Sequence, residues 1–416
     1  MAVLFISSLT PDRKEYWTNA FARSGFNAIQ GVGLSMADLI GRENIEFVSM
    51  PSYQSFPNGP LWLSKKIDTL ENGSKVTILP TLNLKVIKTL HWSIQYANYI
   101  RKWANRHKGE DCKVFIYNTY HPSIDYIYKA CKKAGVKIYC MLYDLGVPPK
   151  RLGLSKLSMY GYERAERIAE KYIPMLDGRI VINESIVKHY APGKDYILID
   201  GGITDLLISK LFPLKQSTLK EYIFVLAGML WDQNGTQLVL DALKQRPDLN
   251  VRVKICGKGN DVPLIKEAAK TDSRIEYLGM LNQEELFKVY ENADVLLNLR
   301  IEEEEDFHFP GKFLECLSMG KLVLSTPIAH VERDYGHYIK VLNNVTGEGL
   351  ASAMDEITKT SKVELLEKGK EARAFMLQHR TWKIRTKNIV EYMKLKIKSH
   401  LLEIWVFLHI YFFQEV

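Results

Sequence analysis

Short apolar runs rich in β-branched residues alternate with segments of helical periodicity along most of the chain. The runs predict strands at residues 3–7, 113–117, 137–142, 178–182, 222–226, 252–256, 294–298 and 322–325. The segments between them predict amphipathic helices, for example at 124–134, 185–190, 236–246, 262–270, 282–292 and 313–319. Such alternation is typical of an α/β fold with parallel sheets covered by helices, in which ligands bind at the carboxyl ends of the strands.

A polar stretch divides this pattern into two halves. Residues 196–203 predict a strand that ends in a glycine turn, and a stretch rich in Lys, Ser and Thr precedes the next strand. At 416 residues the chain is too long for one ordinary core. We therefore predict two Rossmann-like, doubly wound domains, at 1–205 and 206–393, that face each other across a cleft. A last helix from about residue 381 returns to the first domain, and residues 394–416 form an aromatic, apolar tail.

Composition and charge restrict the partners. The net charge of +8 suits phosphorylated substrates, acidic lipid surfaces or nucleic acid. No Lys/Arg run with interleaved aromatic residues occurs, and no zinc-ligand spacing, so we expect no nucleic acid and no metal. The five cysteines show no paired spacing, which favours a reducing compartment and free thiols that serve as small core residues.

The membrane signals are indirect. The N-terminal apolar run is too short for a signal peptide, and no apolar stretch is long enough to cross a bilayer. We therefore expect a cytoplasmic protein. Residues 85–108 combine six Lys or Arg with four aromatic residues and no acidic one, which suits a peripheral contact with an anionic membrane. A solvated basic face of a domain helix explains this segment equally well. The tail at 401–413 is open to the same two interpretations, a membrane-surface anchor or a packed helix.

Three glycine-rich strand ends in the second half suggest a ligand site. Gly228 follows the first strand of this half and would allow close backbone approach, and Lys258 lies between two glycines after the second strand, where it could reach a phosphate. Gly279 ends a short strand against which a nucleobase could lie. Each of these residues could equally belong to an ordinary turn.

The segment at 307–321 carries the strongest signal. Pro310 and Gly311 predict a helix start, where free N–H groups and the helix dipole favour an anion. Lys312 adds a cation in the first turn, and Glu315 is placed one turn later to accept hydrogen bonds from ribose hydroxyls. A predicted buried strand at 295–299 is followed directly by Arg300, which is a second cation. The candidate donor-binding residues of this region are Pro310, Gly311 and Phe313, and the candidate catalytic residues are Arg300, Lys312 and Glu315.

In this order the features resemble bacterial glycosyltransferases of family 4, of the group 1 type, which have the GT-B architecture. The resemblance extends from the first strand to the helix at Trp382 and is sharpest at 278–279, 290–298 and 309–321. It implies an acceptor-binding first domain, a nucleotide-sugar-binding second domain, and a retaining, hexosyltransferase-type enzyme. The donor would be a nucleoside diphosphate sugar, and the acceptor a hydroxyl group. It implies no cofactor and no metal, because helix N–H groups and basic side chains would neutralise the diphosphate.

The class also suggests a biological setting. A lipid-linked glycan acceptor, in the assembly of capsule, exopolysaccharide or O-antigen, would place the protein on the cytoplasmic face of the inner membrane. This inference rests on the class of enzyme, on the basic segment at 85–108 and on the aromatic tail at 401–413.

The chain departs from the family pattern at several positions. Phe307 stands where the first Glu of a Glu-x7-Glu signature is expected, whereas Glu315 matches the second Glu, which the family uses on ribose. Met229 and Asn234 stand where the family has the Arg and Lys of its diphosphate clamp. A replacement clamp would draw, in order, on Arg300, Lys312 and Lys258.

A first-domain histidine is also characteristic of the family. His121 lies in the corresponding region, where it would line the sugar or acceptor site or serve as a structural strand-end residue. Two alternatives to the transferase stay open. One is a catalytically inactive GT-B binding or scaffold subunit, which the missing clamp and Glu favour, and the other is a GT-B sugar-nucleotide 2-epimerase.

Overall fold

The protein folds into two compact units. A computed structural model describes residues 1–17, 23–51, 53–85, 87–118, 123–143, 145, 155–301 and 307–394. The first unit consists of Met1–Gly202 together with the segment that begins at Trp382, and the second unit is Ile203–Thr381. The tail predicted at 394–416 lies outside the described residues from 395 onwards, as does His121.

The first unit is built around a large, mostly parallel sheet. Its strands are β1 (Ala2–Ser7), β2 (Ile45–Ser49), β3 (Trp62–Leu63), β4 (Lys66–Thr69), β5 (Lys75–Ile78), β6 (Thr81–Leu82), β7 (Cys112–Tyr117), β8 (Lys137–Leu142), β9 (Gly178–Val181) and β10 (Ile197–Leu198). Its helices are α1 (Arg23–Ile40), α2 (Ile87–Arg106), α3 (Ile124–Ala134), α4 (Lys156–Tyr172) and α5 (Glu184–Tyr190), together with the last helix that the structure describes, Trp382–Lys394. The sheet order is β10-β9-β8-β7-β1-β2-β5-β4, in which only β4 runs antiparallel to its neighbour, and β3 pairs with β6.

Aromatic packing fixes the centre of this unit. The ring of Phe5 on β1 lies 5.3 Å from that of Phe47 on β2 and 5.1 Å from that of Phe115 on β7. All six residues of β1 are buried, as expected for a central parallel strand covered on both faces.

The last helix of the described residues packs tightly into the first unit. A Cβ atom at Gly31 would lie 2.2 Å from the ring of Trp382, and one at Gly202 would lie 2.7 Å from it, so the two glycines make room for this indole. Arg385 donates a hydrogen bond of 2.6 Å to Asp200, and both side chains are almost completely buried. Breaking such a buried pair on one side would leave an uncompensated charge.

The second unit is a smaller, wholly parallel sheet covered by helices. Its strands are β11 (Tyr222–Met229), β12 (Val251–Lys258), β13 (Ile275–Gly279), β14 (Val295–Asn298), β15 (Leu322–Ser325) and β16 (Lys340–Val341), in the order β13-β12-β11-β14-β15-β16. Its helices are α6 (Asp205–Ser209), α7 (Thr236–Gln245), α8 (Val262–Thr271), α9 (Gln283–Glu291), α10 (Gly311–Ser318), α11 (Val331–Tyr335), α12 (Gly347–Lys359) and α13 (Lys362–His379), so that the helix at Trp382–Lys394 is α14.

A buried ion pair joins α13 to the sheet of the second unit. Lys362 Nζ lies 2.8 Å from Asp294 Oδ2, and the same oxygen accepts a hydrogen bond from the backbone N–H of Ile223. Lys362 also donates to the carbonyl of Glu221. These contacts hold the start of β14 beside the start of β11 and so set the register of the strands that lead to the site.

The structure confirms the α/β prediction and the strands predicted from the apolar runs. Strands β11 and β12 continue three and two residues farther than predicted, to Met229 and Lys258. The five cysteines are free, and all but Cys112 are buried. Among the described residues, no helix combines the length and apolar character needed to cross a membrane.

Candidate functional site

The carboxyl ends of β11 and β12 pass unusually close to each other. Gly228 pairs with Gly257, and Met229 with Lys258, in the parallel register of these strands. A Cβ atom at Gly257 would lie only 1.8 Å from the carbonyl oxygen of Gly228, and the backbone of Gly257 has a φ of +137°. Only glycine fits such a close approach, which leaves backbone groups rather than side chains at this edge of the sheet.

The start of α10 lies beside Gly228. A Cβ atom at Gly228 would meet the side chain of Lys312, with Cδ at 3.7 Å. Lys312 extends over the buried ring of Tyr290, and its Nζ lies 5.8 Å from the ring centroid. The N-cap residue of α10 is Pro310, whose side chain makes no capping hydrogen bond. A cation and the positive end of a helix therefore meet next to the end of β11.

Glu315 lies one turn along α10 and is half-buried. In the described part of the chain no side chain forms a hydrogen bond or ion pair with it, so its carboxylate is available to a ligand. The carboxylate of Glu315 acts electrostatically on the neighbouring Tyr290. Burial raises the pKa of Tyr290 well above its usual value, and the neighbouring acidic groups of Cys316 and Glu315 raise it further. Tyr290 is therefore neutral, and its ring offers Lys312 a cation–π contact.

Arg300 follows β14 and is held through its backbone. Asn298 donates to Ser325 Oγ at 2.8 Å, and the hydroxyl of Thr326 donates to the carbonyl oxygen of Arg300. The next residue, Ile301, donates its N–H to the carbonyl of Gln233, in the loop that follows β11. Arg300 thus lies beside the same loop as Gly228, as expected for neighbouring parallel strands.

The two positions where a clamp was expected are the last residue of β11 and a residue of the following loop, and neither carries a charge. Asn234 Nδ2 donates a 2.7 Å hydrogen bond to the carbonyl of Met229, and the Met229 side chain is exposed. The amide of Asn234 therefore stabilises the loop. Lys312 flanks Gly228, the residue directly before Met229, so a cation is present one residue from the expected clamp position.

Lys258 and Gly279 complete this edge of the sheet. Lys258 is exposed at the end of β12, and its carbonyl accepts a hydrogen bond from Leu230. The hydroxyl of Tyr277 on β13 donates to the carbonyl of Gly257 at 2.8 Å, which ties β13 to the β12 turn. Gly279 ends β13 in open space, since a Cβ atom there would meet nothing within 4 Å. Burial raises the pKa of the adjacent Cys256 to about 11, so this thiol stays protonated.

An aromatic cluster supports the start of α10, and the sequence did not reveal it. The ring of Phe309 stacks on that of His330 at 4.8 Å, and Phe313 packs against Tyr335 at 5.1 Å. Phe313 was a candidate donor-binding residue, but its side chain is fully buried in this cluster. Phe307 is also buried. Because Phe309 and Phe313 flank Pro310 and Gly311 in the sequence, the packing of their rings fixes the backbone at the start of α10.

Most of the candidate donor residues therefore converge in the second unit. The structure brings together Gly228, Lys258, Gly279, Arg300, Pro310, Gly311, Lys312 and Glu315 around the ends of β11 to β14 and the start of α10. His121 lies outside the described residues, so the structure does not place it.

Known proteins resemble this chain in part of its sequence and in its fold. Residues 221–360 match the family described as group 1 glycosyl transferases. No protein of curated function matches the sequence significantly. Among solved structures, HepE of Anabaena in complex with UDP superposes with a TM-score of 0.61 at 12% identity, covering 95% of this chain and all of HepE.

Two further structures show the same likeness. Sucrose-phosphate synthase of Thermosynechococcus elongatus gives a TM-score of 0.65 at 12% identity over 95% of this chain and 98% of its own. The α,α-trehalose 6-phosphate synthase of Burkholderia multivorans gives 0.60 at 10% identity over 94% and 96%. At these identities the likeness concerns the fold. The chain has the GT-B fold, and its segment 221–360 matches the family described as group 1 glycosyl transferases.

Proposed function

We propose that this protein is a retaining glycosyltransferase that moves a sugar from a nucleoside diphosphate sugar to an acceptor hydroxyl. The observation that carries the proposal is that Lys312, at the start of α10, lies beside Gly228 at the end of β11, where the N-cap residue Pro310 provides no side-chain cap. Donors of this kind concentrate negative charge on the departing diphosphate. A preorganised cation and helix N–H groups stabilise such charge where it develops.

The remaining residues suit the other parts of the donor. Glu315, with no partner among the described side chains, would accept hydrogen bonds from the ribose hydroxyls, as the second Glu of the family signature does. The unobstructed backbone N–H and C=O groups near Gly279 would form hydrogen bonds with the nucleobase. The complex of HepE with UDP makes uridine-linked sugars the first donors to test.

The diphosphate clamp is the point where this chain differs from its family. We propose that Lys312 and Arg300 replace the missing Arg and Lys, with Lys258 at the rim. Lys312 has the strongest support because its side chain flanks Gly228 at the end of β11, whereas Arg300 adjoins the following loop through its backbone. These groups would neutralise the leaving diphosphate without a bound metal ion.

The acceptor belongs to the same proposal. A lipid-linked glycan in capsule, exopolysaccharide or O-antigen assembly fits the class of enzyme, with the first unit as the acceptor-binding part. The reaction would take place at the cytoplasmic face of the inner membrane.

The test is turnover of a panel of nucleotide sugars, followed by release of the nucleoside diphosphate. We expect release with at least one donor, and its loss in Glu315→Ala. The matched control is Glu364→Ala, which removes an exposed carboxylate from α13 of the same unit. Equal turnover in the Glu315 and Glu364 variants would contradict the role given to Glu315.

Other outcomes would identify the alternatives. The uncharged Met229 and Asn234 and the buried Phe307 favour a catalytically inactive binding or scaffold subunit. Calorimetry that detects no nucleotide binding would support that subunit and reject both enzymes. Interconversion of free sugar nucleotides in the absence of an acceptor would instead identify a 2-epimerase.

A further inference from the structure

Helix α2 has an apolar stripe on its outer face. Ile87, Leu90 and Ile94 are 45%, 49% and 43% exposed. Their spacing of three and four residues places them on one side of the helix. Large aliphatic side chains that remain half-exposed in a row on one helix face mark an interaction surface more often than isolated exposed residues do.

Neighbouring loop residues extend this stripe into a patch. The backbone of Asn83, just before α2, accepts a hydrogen bond from the N–H of Phe56 and donates one to the carbonyl of Leu61. The ring of Trp62 lies 6.0 Å from that of His91 on α2. Phe56, Leu61 and Trp62 are 44–52% exposed. We call these six residues, Phe56, Leu61, Trp62, Ile87, Leu90 and Ile94, the α2 patch.

The patch is separate from the face of α2 that forms the core. Trp92, Tyr96, Ile100 and Trp103 are buried on the opposite side of the helix. The indole of Trp92 donates to Thr81 Oγ1 at 2.9 Å, which locks the inner face to β6. The helix therefore has two apolar faces, and the described fold covers one of them.

The two sequence segments that form the patch carry basic but no acidic residues. Residues 51–67 and 72–109 contain no Asp or Glu. Lys65 and Lys85 are exposed near the loop end of the patch, and Arg101 and Lys102 are exposed farther along α2. Arg101 follows Ile87 by fourteen residues, or about 21 Å along the helix. The surface thus combines apolar side chains with a cationic rim.

We propose that the α2 patch docks on the surface of an anionic lipid bilayer. Trp62 and the aliphatic side chains would enter the headgroup boundary, and the Lys and Arg side chains would contact lipid phosphates. A second copy of the chain is a poorer occupant, because two equal patches would bring two cationic rims together. The inference goes beyond the proposed transfer reaction, since docking needs no nucleotide sugar.

The experiment is vesicle sedimentation with the full chain in the absence of donor. We expect binding to vesicles of phosphatidylcholine with phosphatidylglycerol, weaker binding to phosphatidylcholine alone, and a decrease with salt. The triple variant Ile87→Ser, Leu90→Ser, Ile94→Ser should weaken partition by at least about tenfold, because it removes apolar area that enters the lipid. The control variant Leu264→Ser, Val363→Ser changes exposed apolar residues of the second unit and should bind like the unchanged chain.

Circular dichroism melting shows whether the variants are folded, and the single variant Leu90→Glu serves if the triple variant is not. Equal vesicle binding by the patch and control variants would overturn the proposal, as would no binding by the unchanged chain. A dimer that the patch variant alone loses, with no vesicle binding, would identify a second copy as the occupant. Donor hydrolysis should be equal in all these variants, so a failure of docking is distinct from a failure of the proposed transferase.

Discussion

The close approach of Gly257 to Gly228 makes a sharp prediction. In the variant Gly257→Ala, the new methyl group would start 1.8 Å from the carbonyl oxygen of Gly228, far inside van der Waals contact. The obstacle is backbone of a central strand, so β11 and β12 must separate by more than 1 Å at their carboxyl ends, as about 3 Å is the closest approach that real Cβ atoms show. The φ of +137° adds strain for alanine.

Two contributions set the expected size of the effect. Overpacking costs about 1–3 kcal/mol, and holding a non-glycine residue at positive φ costs about 1–2 kcal/mol more. The sum of about 2–5 kcal/mol corresponds to a fall in the melting temperature of the second unit of about 4–20 °C. Because the separation occurs beside Lys312, the affinity for nucleoside diphosphate should fall as well.

Calorimetry of melting and of UDP binding measures both effects. The control is Gly279→Ala in the same unit, which also has a positive φ, +74°, but has open space where the methyl group would go. We expect it to lose only the strain part of the stability. If the Gly257 and Gly279 variants melt at the same temperature, the close backbone approach is not the determinant and the reasoning is refuted.

Two other predictions concern charge. Lys312→Ala and Arg300→Ala should each weaken UDP binding by about ten- to a hundredfold, since a charge-assisted hydrogen bond contributes about 1.5–3 kcal/mol; unchanged affinity in both variants would exclude them as the replacement clamp. Asp294→Ala should destabilise the second unit by about 3–5 kcal/mol, because it leaves the buried Lys362 without its carboxylate. Adding Lys362→Met should recover part of that loss in denaturant unfolding, and a double variant as unstable as the single one would show that the ion pair is not responsible.

Much of the fold could be predicted because local and global signals agree. The buried strands β14 and β15 are continuous apolar runs between helices, and such runs are typical of parallel sheets. The pattern did not predict β2 and β5. In β2 a glutamate interrupts the apolar run, and β5 lies towards the edge of its sheet next to the exposed β4, where apolar and polar residues mix. Their pairing depends on contacts distant in sequence.

The candidate site also contains some features that the sequence predicts and others that it does not. The preference for proline, glycine and lysine at an anion-binding helix start depends on neighbouring residues alone. Pro310, Gly311 and Lys312 could therefore be identified from the sequence. The contact between Lys312 and Gly228 joins residues far apart in the chain, and spacing alone does not contain it. The same holds for Phe313, which follows Lys312 directly but points into an aromatic cluster made with α11. Adjacent residues of one helix turn thus have opposite roles.

Helix α2 shows most clearly where sequence reasoning stops. Its aromatic residues first suggested a membrane surface, yet Trp92, Tyr96 and Trp103 are buried, while Ile87 and Ile94 are exposed. Both sets have helical spacing, so periodicity cannot decide which face turns inward. Packing decides: the large rings have more area to bury, and the indole of Trp92 has a partner inside. The basic residues still suit an anionic surface, because Lys85, Arg101 and Lys102 are exposed and helical spacing places Arg101 on the side of the aliphatic stripe. The membrane hypothesis therefore now rests on a different set of residues, and the serine variants of the α2 patch test it directly.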